Sequence, residues 1–343
     1  MIIVFMTRLF WPHIGGVEKH VMEIGKKLLK KGHEVIVITE MLPDQRQEEI
    51  INGIHIYRIN AGKEDRSKKI RIWREIWKLR AVIASADVVH CHDVFFWYLP
   101  FRLFYPTKSV FTTFHGYESY PVRKSAIVVR KLSEKLSSGN ICIGDFIPKW
   151  YGTHPTIVSY GAVEFKSHQV TSSSRYKKNE SAVFIGRLDE QTGVMTYAKA
   201  VEILQKNYPK FQFDIIGDGK ERNLVEKKFT VLGFQKDPEQ YLAAYHFAFV
   251  SRYLAILESL TAKRLIFAVY DNPIKEDYLK MAPFAGFIVI ERDPEKLAEK
   301  IMYYLHHPKE EEAMIEKGYA WVKQQTWEKM VEIYLTLWSK KNL

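Results

Sequence analysis

The sequence predicts an α/β protein made of two doubly wound domains. Three observations predict it. Short apolar runs alternate with helical stretches from the first residues onward. A polar stretch, "KSHQVTSSSRYKKNE" (166–180), interrupts the alternation and has no apolar periodicity. A second strand–helix series begins directly after it. The length of 343 residues is itself enough for two domains.

Ile2–Met6 is an uncharged apolar run and reads as a buried strand. Val17, Val21, Ile24 and Leu28 then recur at helical spacing, Lys30 and Lys31 fall in the last turn, and Gly32 stops the helix. Glu34–Thr39 is the next strand. Strand, helix and strand in this order imply parallel strands joined by a right-handed crossover. The pattern repeats in "ADVVHCHD" (86–93), "SVFTTFHG" (109–116), "NICIG" (140–144) and "TIVSYGA" (156–162), each an apolar run ending in small or polar residues. After the polar stretch come "SAVFIGRLD", "FQFDIIGDG", "FTVLGF", "FAFVS", "LIFAVYD" and "GFIVIE". The expected division is a first domain over 1–165, a linker over 166–180 and a second domain over 181–321. An amphipathic helix, from about Thr326 to Lys340, ends the sequence.

Composition narrows the class. Hydrophobic residues make up 47% and charged residues 27%, as in ordinary globular proteins. Two cysteines, Cys91 and Cys142, cannot build a disulfide framework, and a reducing, cytoplasmic setting is expected. The first residues carry no basic leader, and no apolar run is long enough to span a bilayer. The net charge is +11, and residues 1–160 hold 24 Lys and Arg against 15 Asp and Glu. A basic half attracts an anionic partner. No nucleic-acid motif is present, so nucleic acid is not the expected partner.

Gly15 and Gly16 lie between the first strand and the first helix. Free backbone N–H groups at a helix start meet an anion well, helped by the helix dipole. A tight turn with no ligand is an equal reading of these two residues alone. The wider pattern is more specific. "GGVEKHVMEIGKKLLKKGHEVIVIT", "DVVHCHD", "TFHG", "VSYGAVE", "FIGRLDEQTGV", "FDIIGDG", "VLGF" and "LESLTAKRLIFA" occur in one order over nearly the whole chain. Together they resemble the family 4 retaining glycosyltransferases of the GT-B fold, whose two Rossmann-like domains face each other across a cleft.

The resemblance implies a nucleotide-sugar donor, UDP- or GDP-linked, held mostly by the second domain. The acceptor, a glycan or lipid-linked sugar, would lie against the first. Gly15 and Gly16 would close over the donor's diphosphate and sugar, where a side chain would collide. Arg187, after Gly186, would neutralise the leaving diphosphate. His115 would face the sugar. Glu258 would accept hydrogen bonds from the ribose hydroxyls, and the backbone amides near Leu254 and Ala255 would meet the diphosphate. Glu18 and His20 would touch the donor or acceptor, or lie on a solvated helix face. The terminal segment, about 322–343, would pack back on the first domain. No metal or other cofactor is implied. His90 and His92 share a strand face, but no matching ligands follow them in the sequence.

The sequence departs from the family pattern in places. The usual second diphosphate cation, a lysine, is Thr192 here. The usual first glutamate of a paired motif falls on Val250, and the segment "VSRYLAILES" is shorter than the family's loop. Arg252, or Lys263 with Arg264, would restore the missing charge. A non-catalytic nucleotide-sugar binder and a nucleotide-sugar epimerase of the same fold are the alternatives. Finally, "RSKKIRIWREIWKLRAVI" (66–83) sets Ile72, Ile76, Leu79 and Ile83 on one helical stripe, flanked by Trp73 and Trp77 and by basic residues. Such a helix either docks on an anionic membrane surface, making the protein peripheral, or packs its stripe on the sheet.

Overall fold

The computed structural model describes residues 1–165 and 180–339. Residues 166–179, nearly all of the expected linker, lie outside the described residues. The chain divides into two compact units: residues 1–160 with 327–343, and residues 161–326.

The first unit holds one eight-stranded sheet. Its strands are β1 (Ile2–Thr7), β2 (Glu34–Glu40), β3 (Glu48–Ile51), β4 (Ile54–Ile59), β5 (Val88–His92), β6 (Val110–Phe114), β7 (Asn140–Ile143) and β8 (Ile157–Ser159), in the order β3-β4-β2-β1-β5-β6-β7-β8. All neighbours are parallel except β3 and β4. That edge hairpin escaped the sequence reading, although its signal is local. Asn52 and Gly53 both adopt positive φ, 53° and 83°. This is the two-residue turn whose twist suits a hairpin and which an Asn-Gly pair favours. β1 lies between β2 and β5, where the chain order reverses and where such sheets bind ligands.

The segment 66–83 is not one continuous helix. It forms Lys68–Lys78 and Arg80–Ser85, interrupted at Leu79. Ile72, Ile76 and Ile83 are buried in one core with Val4, Met6, Val89 and Phe101. The apolar stripe therefore covers the sheet and is not available to a lipid surface. Phe95, Trp97 and Tyr98 are buried in the same core. The terminal helix spans Trp327–Ser339, starting within a residue of the expected Thr326; residue 322, where the segment packing on the first domain was expected to begin, instead ends a separate helix, Pro308–Val322. The terminal helix lies against the first helix (Gly16–Lys30), with Lys27 paired to Glu328 at 2.6 Å and Lys31 to Glu332 at 2.8 Å. No helix among the described residues is long and apolar enough to cross a membrane.

The second unit holds a six-stranded, all-parallel sheet: β9 (Ser181–Ile185), β10 (Gln212–Ile216), β11 (Thr230–Gly233), β12 (Phe247–Phe249), β13 (Leu265–Val269) and β14 (Val289–Glu291). The order β11-β10-β9-β12-β13-β14 reverses between β9 and β12. A core containing Phe184, Tyr197, Phe213, Phe249 and Phe267 packs on this sheet.

Candidate active site

Each unit gathers polar groups at the C-terminal ends of its central strands. In the second unit these are the ends of β9 and β12. Gly186 and Arg187 extend β9, and the Gly186 N–H donates to Ile216 O at 3.1 Å while Leu188 N–H donates to Asp218 O at 2.9 Å. The β10 extension therefore runs against the β9 extension. A Cβ added to Gly217 would lie 1.8 Å from Gly186 O, so only glycine fits this approach. The Arg187 side chain is 68% exposed and pairs with Asp189 at 3.3 Å.

Thr192, at the position where a lysine was expected, is buried. Its hydroxyl lies 2.5 Å from Arg187 O and 2.7 Å from Asp189 O, and Asp189 in turn accepts from the Thr192 N–H. The side chain thus closes the turn that carries Arg187. Ser251 Oγ donates to Thr192 O at 3.0 Å, and Arg252 Nη2 to Gln191 Oε1 at 2.8 Å. These two bonds tie the loop after β9 to the loop after β12.

Arg252 precedes the helix Tyr253–Thr261 and does not itself cap it; the first N–H, that of Tyr253, donates to the Tyr278 hydroxyl at 2.7 Å. Leu254 and Ala255 lie in its first turn, so their amides point out of the helix start. Glu258 is buried in the second turn rather than at the start. Lys263 and Arg264 sit beyond the other end, roughly 13 Å along the axis. Lys263 pairs with Glu316 at 2.6 Å, so of the expected replacements for the missing lysine only Arg252 stands at the helix start. The sequence reading missed Lys275, which nothing in "NPIKED" distinguishes from a surface lysine. It is fully buried, donates to Ser251 O and lies 4.3 Å from the Tyr278 ring centre. Burial, with Arg252 nearby, lowers its pKa well below the usual value.

In the first unit, the ends of β1, β5 and β6 stand level, with Thr7 beside His92 and His92 beside Thr113. His115 follows β6. Its N–H donates to the Asp93 carboxylate at 3.1 Å, and its Nε2 lies 2.9 Å from His92 Nδ1. His20 is buried, not on a solvated face, and its ring stands edge-on to that of His115 at 4.8 Å. Four histidines, His20, His90, His92 and His115, thus form one layer. Burial holds all four imidazoles neutral, with His115 lowered to about 3. Burial pushes the Asp93 carboxyl up to about 6 against the pull of Arg130. Arg130, also missed, is buried over the Tyr151 ring and donates to Gly116 O and Glu118, which holds the loop after His115.

Ligand nitrogens of His20, His92 and His115 lie within 4.8 Å of one another. They come from three separate elements, not from "HCHD" alone. His92 Nδ1 lies 2.9 Å from His115 Nε2, and His20 Nε2 lies 2.8 Å from the Tyr334 hydroxyl, so each of these nitrogens has a hydrogen-bonding partner. What a Cβ on Gly15 would meet is Glu18 Oε2, at 2.4 Å, and a Cβ on Gly16 would meet nothing within 4 Å. The Glu18 carboxylate folds back over the helix start and lies 3.2 Å from His13 Nδ1.

The family model described as "Glycosyltransferase Family 4" matches residues 14–147, and that described as "Glycosyl transferases group 1" matches residues 166–321. The chain belongs to the family 4 glycosyltransferases. Among curated relatives of this family 4 chain, one subunit of the human phosphatidylinositol N-acetylglucosaminyltransferase is 22% identical over 241 residues, covering 66% of this chain and 49% of that protein. The phosphatidyl-myo-inositol mannosyltransferase of Propionibacterium freudenreichii is 24% identical over 253 residues, covering 66% and 64%. The matched region thus spans about half to two thirds of these relatives' length. Among solved structures, the Anabaena protein HepE in complex with UDP and glucose has a TM-score of 0.77 at 13% identity, covering 99% of this chain and all of that one. The fold is shared at that distance. Of the expected site residues, His115 follows β6 in the first unit, and in the second Gly186 and Arg187 follow β9, Arg252 follows β12, and Glu258 lies on the helix after it.

Proposed function

We propose that this chain transfers a sugar from a nucleotide-sugar donor to an acceptor hydroxyl, with retention at the anomeric carbon. The observation that carries the reading is in the second unit. Arg187, Arg252 and the start of the helix Tyr253–Thr261 lie on the loops that follow β9 and β12, where the sheet reverses its strand order. Such a place suits a diphosphate. The Anabaena neighbour solved with UDP and glucose supports a uridine donor.

In the proposed step the bond from the anomeric carbon to the diphosphate breaks. A bond from the acceptor oxygen to that carbon forms on the same face. The acceptor's proton passes to an oxygen of the departing diphosphate. No separate nucleophile is needed, and catalysis rests on position and on fixed charge near the leaving group. His115, being neutral, serves as a hydrogen-bonding group and not as an acid.

The names of the curated relatives support a lipid-borne acceptor. The first unit offers a surface for it, different from the buried stripe of 66–83. Leu103 is 84% exposed and Phe104 61%, and the Trp77 ring lies 4.9 Å from that of Phe104. Arg74, Lys78 and Arg80 are exposed on the same segment as Trp77. Apolar tips among cations suit an anionic lipid surface.

The test is the melting temperature of the whole chain with UDP, GDP or ADP. A ligand at about a hundred times its Kd adds about 2.7 kcal/mol, a rise of several degrees. UDP is expected to give that rise, and Glu258→Ala to abolish it while melting normally alone. No rise with any of the three overturns the donor site.

A further inference from the structure

A chain of four buried hydrogen bonds runs from the terminal helix into the histidine layer. Trp338 Nε1 lies 3.0 Å from His90 Nδ1, and His90 Nε2 lies 2.7 Å from Thr113 Oγ1. Thr113 Oγ1 lies 2.9 Å from the Tyr334 hydroxyl, which lies 2.8 Å from His20 Nε2. The direction of this chain follows from one end. An indole N–H can only donate. His90 Nδ1 therefore accepts, and a neutral His90 carries its proton on Nε2 and donates it to Thr113. Thr113 has one proton, which goes to Tyr334. Tyr334 has one proton, which goes to His20 Nε2. The reverse sense at Tyr334 would leave the Thr113 hydroxyl proton without an acceptor among the described residues. Such a buried orphan is unfavourable, because its lost water bond is not replaced.

We propose that Tyr334 and Trp338 are positioning residues that fix neutral His20 with its proton on Nδ1, so that His20 is a hydrogen-bond donor to the site. Burial holds both His90 and His20 neutral, which the chain requires. His20 stands edge-on to His115 at 4.8 Å and to Trp327 at 5.5 Å, and its Nδ1 has no protein partner among the described residues. A donor here suits a sugar or acceptor oxygen, and that last clause rests on the transferase reading. The tautomer itself does not.

The tautomer can be read directly. The whole chain is labelled with 15N in its histidine rings, and one-bond and multiple-bond proton–nitrogen correlations are recorded. His20→Gln and His90→Gln assign the signals by their loss. The expected pattern is Nδ1–H for His20 and Nε2–H for His90. Tyr334→Phe is expected to move His20 toward the Nε2–H form, because its Nε2 loses the donor. Trp338→Phe is expected to move both rings toward mixtures, because the chain loses its fixed end. It reads the same chain if Tyr334→Phe does not fold. An Nε2–H pattern for His20 in the native chain, or an unchanged pattern in both folded variants, overturns the proposal. Binding of no nucleotide at all would sink the transferase reading and leave the tautomer result standing. With a donor in hand, Tyr334→Phe is expected to lower kcat at least tenfold while the donor KM stays within twofold. An unaltered kcat would refute the role in the site.

Discussion

At Gly217 the backbone φ is +145°, and the absent Cβ would overlap the Gly186 carbonyl. Gly16 differs in both respects: its φ is not positive, and it has open space around it. The two glycines look alike as letters in short loops after strands. Gly217→Ala is expected to destabilise the chain by about 1–3 kcal/mol from the backbone conformation alone, and further by moving the Gly186–Arg187 extension. Gly16→Ala is expected to change stability by less than about 0.5 kcal/mol. Chemical denaturation of both variants checks the contrast, and equal losses would refute it. If Gly16 also faces the donor, its alanine variant weakens nucleotide binding at unchanged stability. A glycine needed for folding and a glycine needed for a ligand are separated in this way.

β5 carries His90 and His92, and its pairing with β6 brings them beside the other two histidines, His20 on the first helix and His115 after β6. The register of the two strands brings His90 and His92 next to Phe111 and Thr113, and the terminal helix covers them with Tyr334 and Trp338. Four imidazoles are held neutral at a pH where unfolded ones, near about 6.5, begin to bind protons. Protons then favour the unfolded chain. Stability is full above about pH 6.5 and falls as the pH drops, by about 1.4 kcal/mol per pH unit for each imidazole left unprotonated. For His115 the loss continues to about pH 3. Asp93 works the other way. Its carboxyl, raised to about 6, favours the folded chain as the pH falls from there toward the ordinary carboxylate value, and it offsets one imidazole of the four. Urea unfolding between pH 7 and about pH 5 is expected to show a steep loss of stability, made shallower by His92→Gln. A flat profile would contradict the neutral layer.

Charge is unequally divided over the whole molecule. The first 160 residues hold the larger share of the net charge of +11. The exposed Leu103 and Phe104 lie in that half, beside Trp77 and its neighbouring cations. Sedimentation with vesicles containing phosphatidylserine is expected to carry the chain down at low salt. Release is expected as ionic strength rises, since the Debye length is about 8 Å at physiological salt. The double substitution Leu103→Ser with Phe104→Ser is expected to reduce binding at least fivefold. Equal binding to neutral vesicles, or none to anionic ones, would rule out this surface.

The sequence by itself determined the two strand–helix series, the glycines that end strands, and the order of motifs that marks the family. These are local properties: period, propensity and turn chemistry act between residues a few positions apart. The Asn52–Gly53 hairpin was of the same kind and was legible, though unread. The tertiary structure alone decided which polar groups meet. His20 and Tyr334 are 314 positions apart, and His92 ends β5 while His115 follows the neighbouring strand β6. Their meeting depends on sheet order and on the return of the terminal helix to the first unit, which no local pattern encodes. The stripe of 66–83 shows the same limit. An amphipathic period shows that a face is apolar, but only packing decides whether it covers a sheet or a membrane. Lys275 is the sharpest case, a residue type that is rarely buried, placed inside by the helix that carries it and recognisable only from its neighbours.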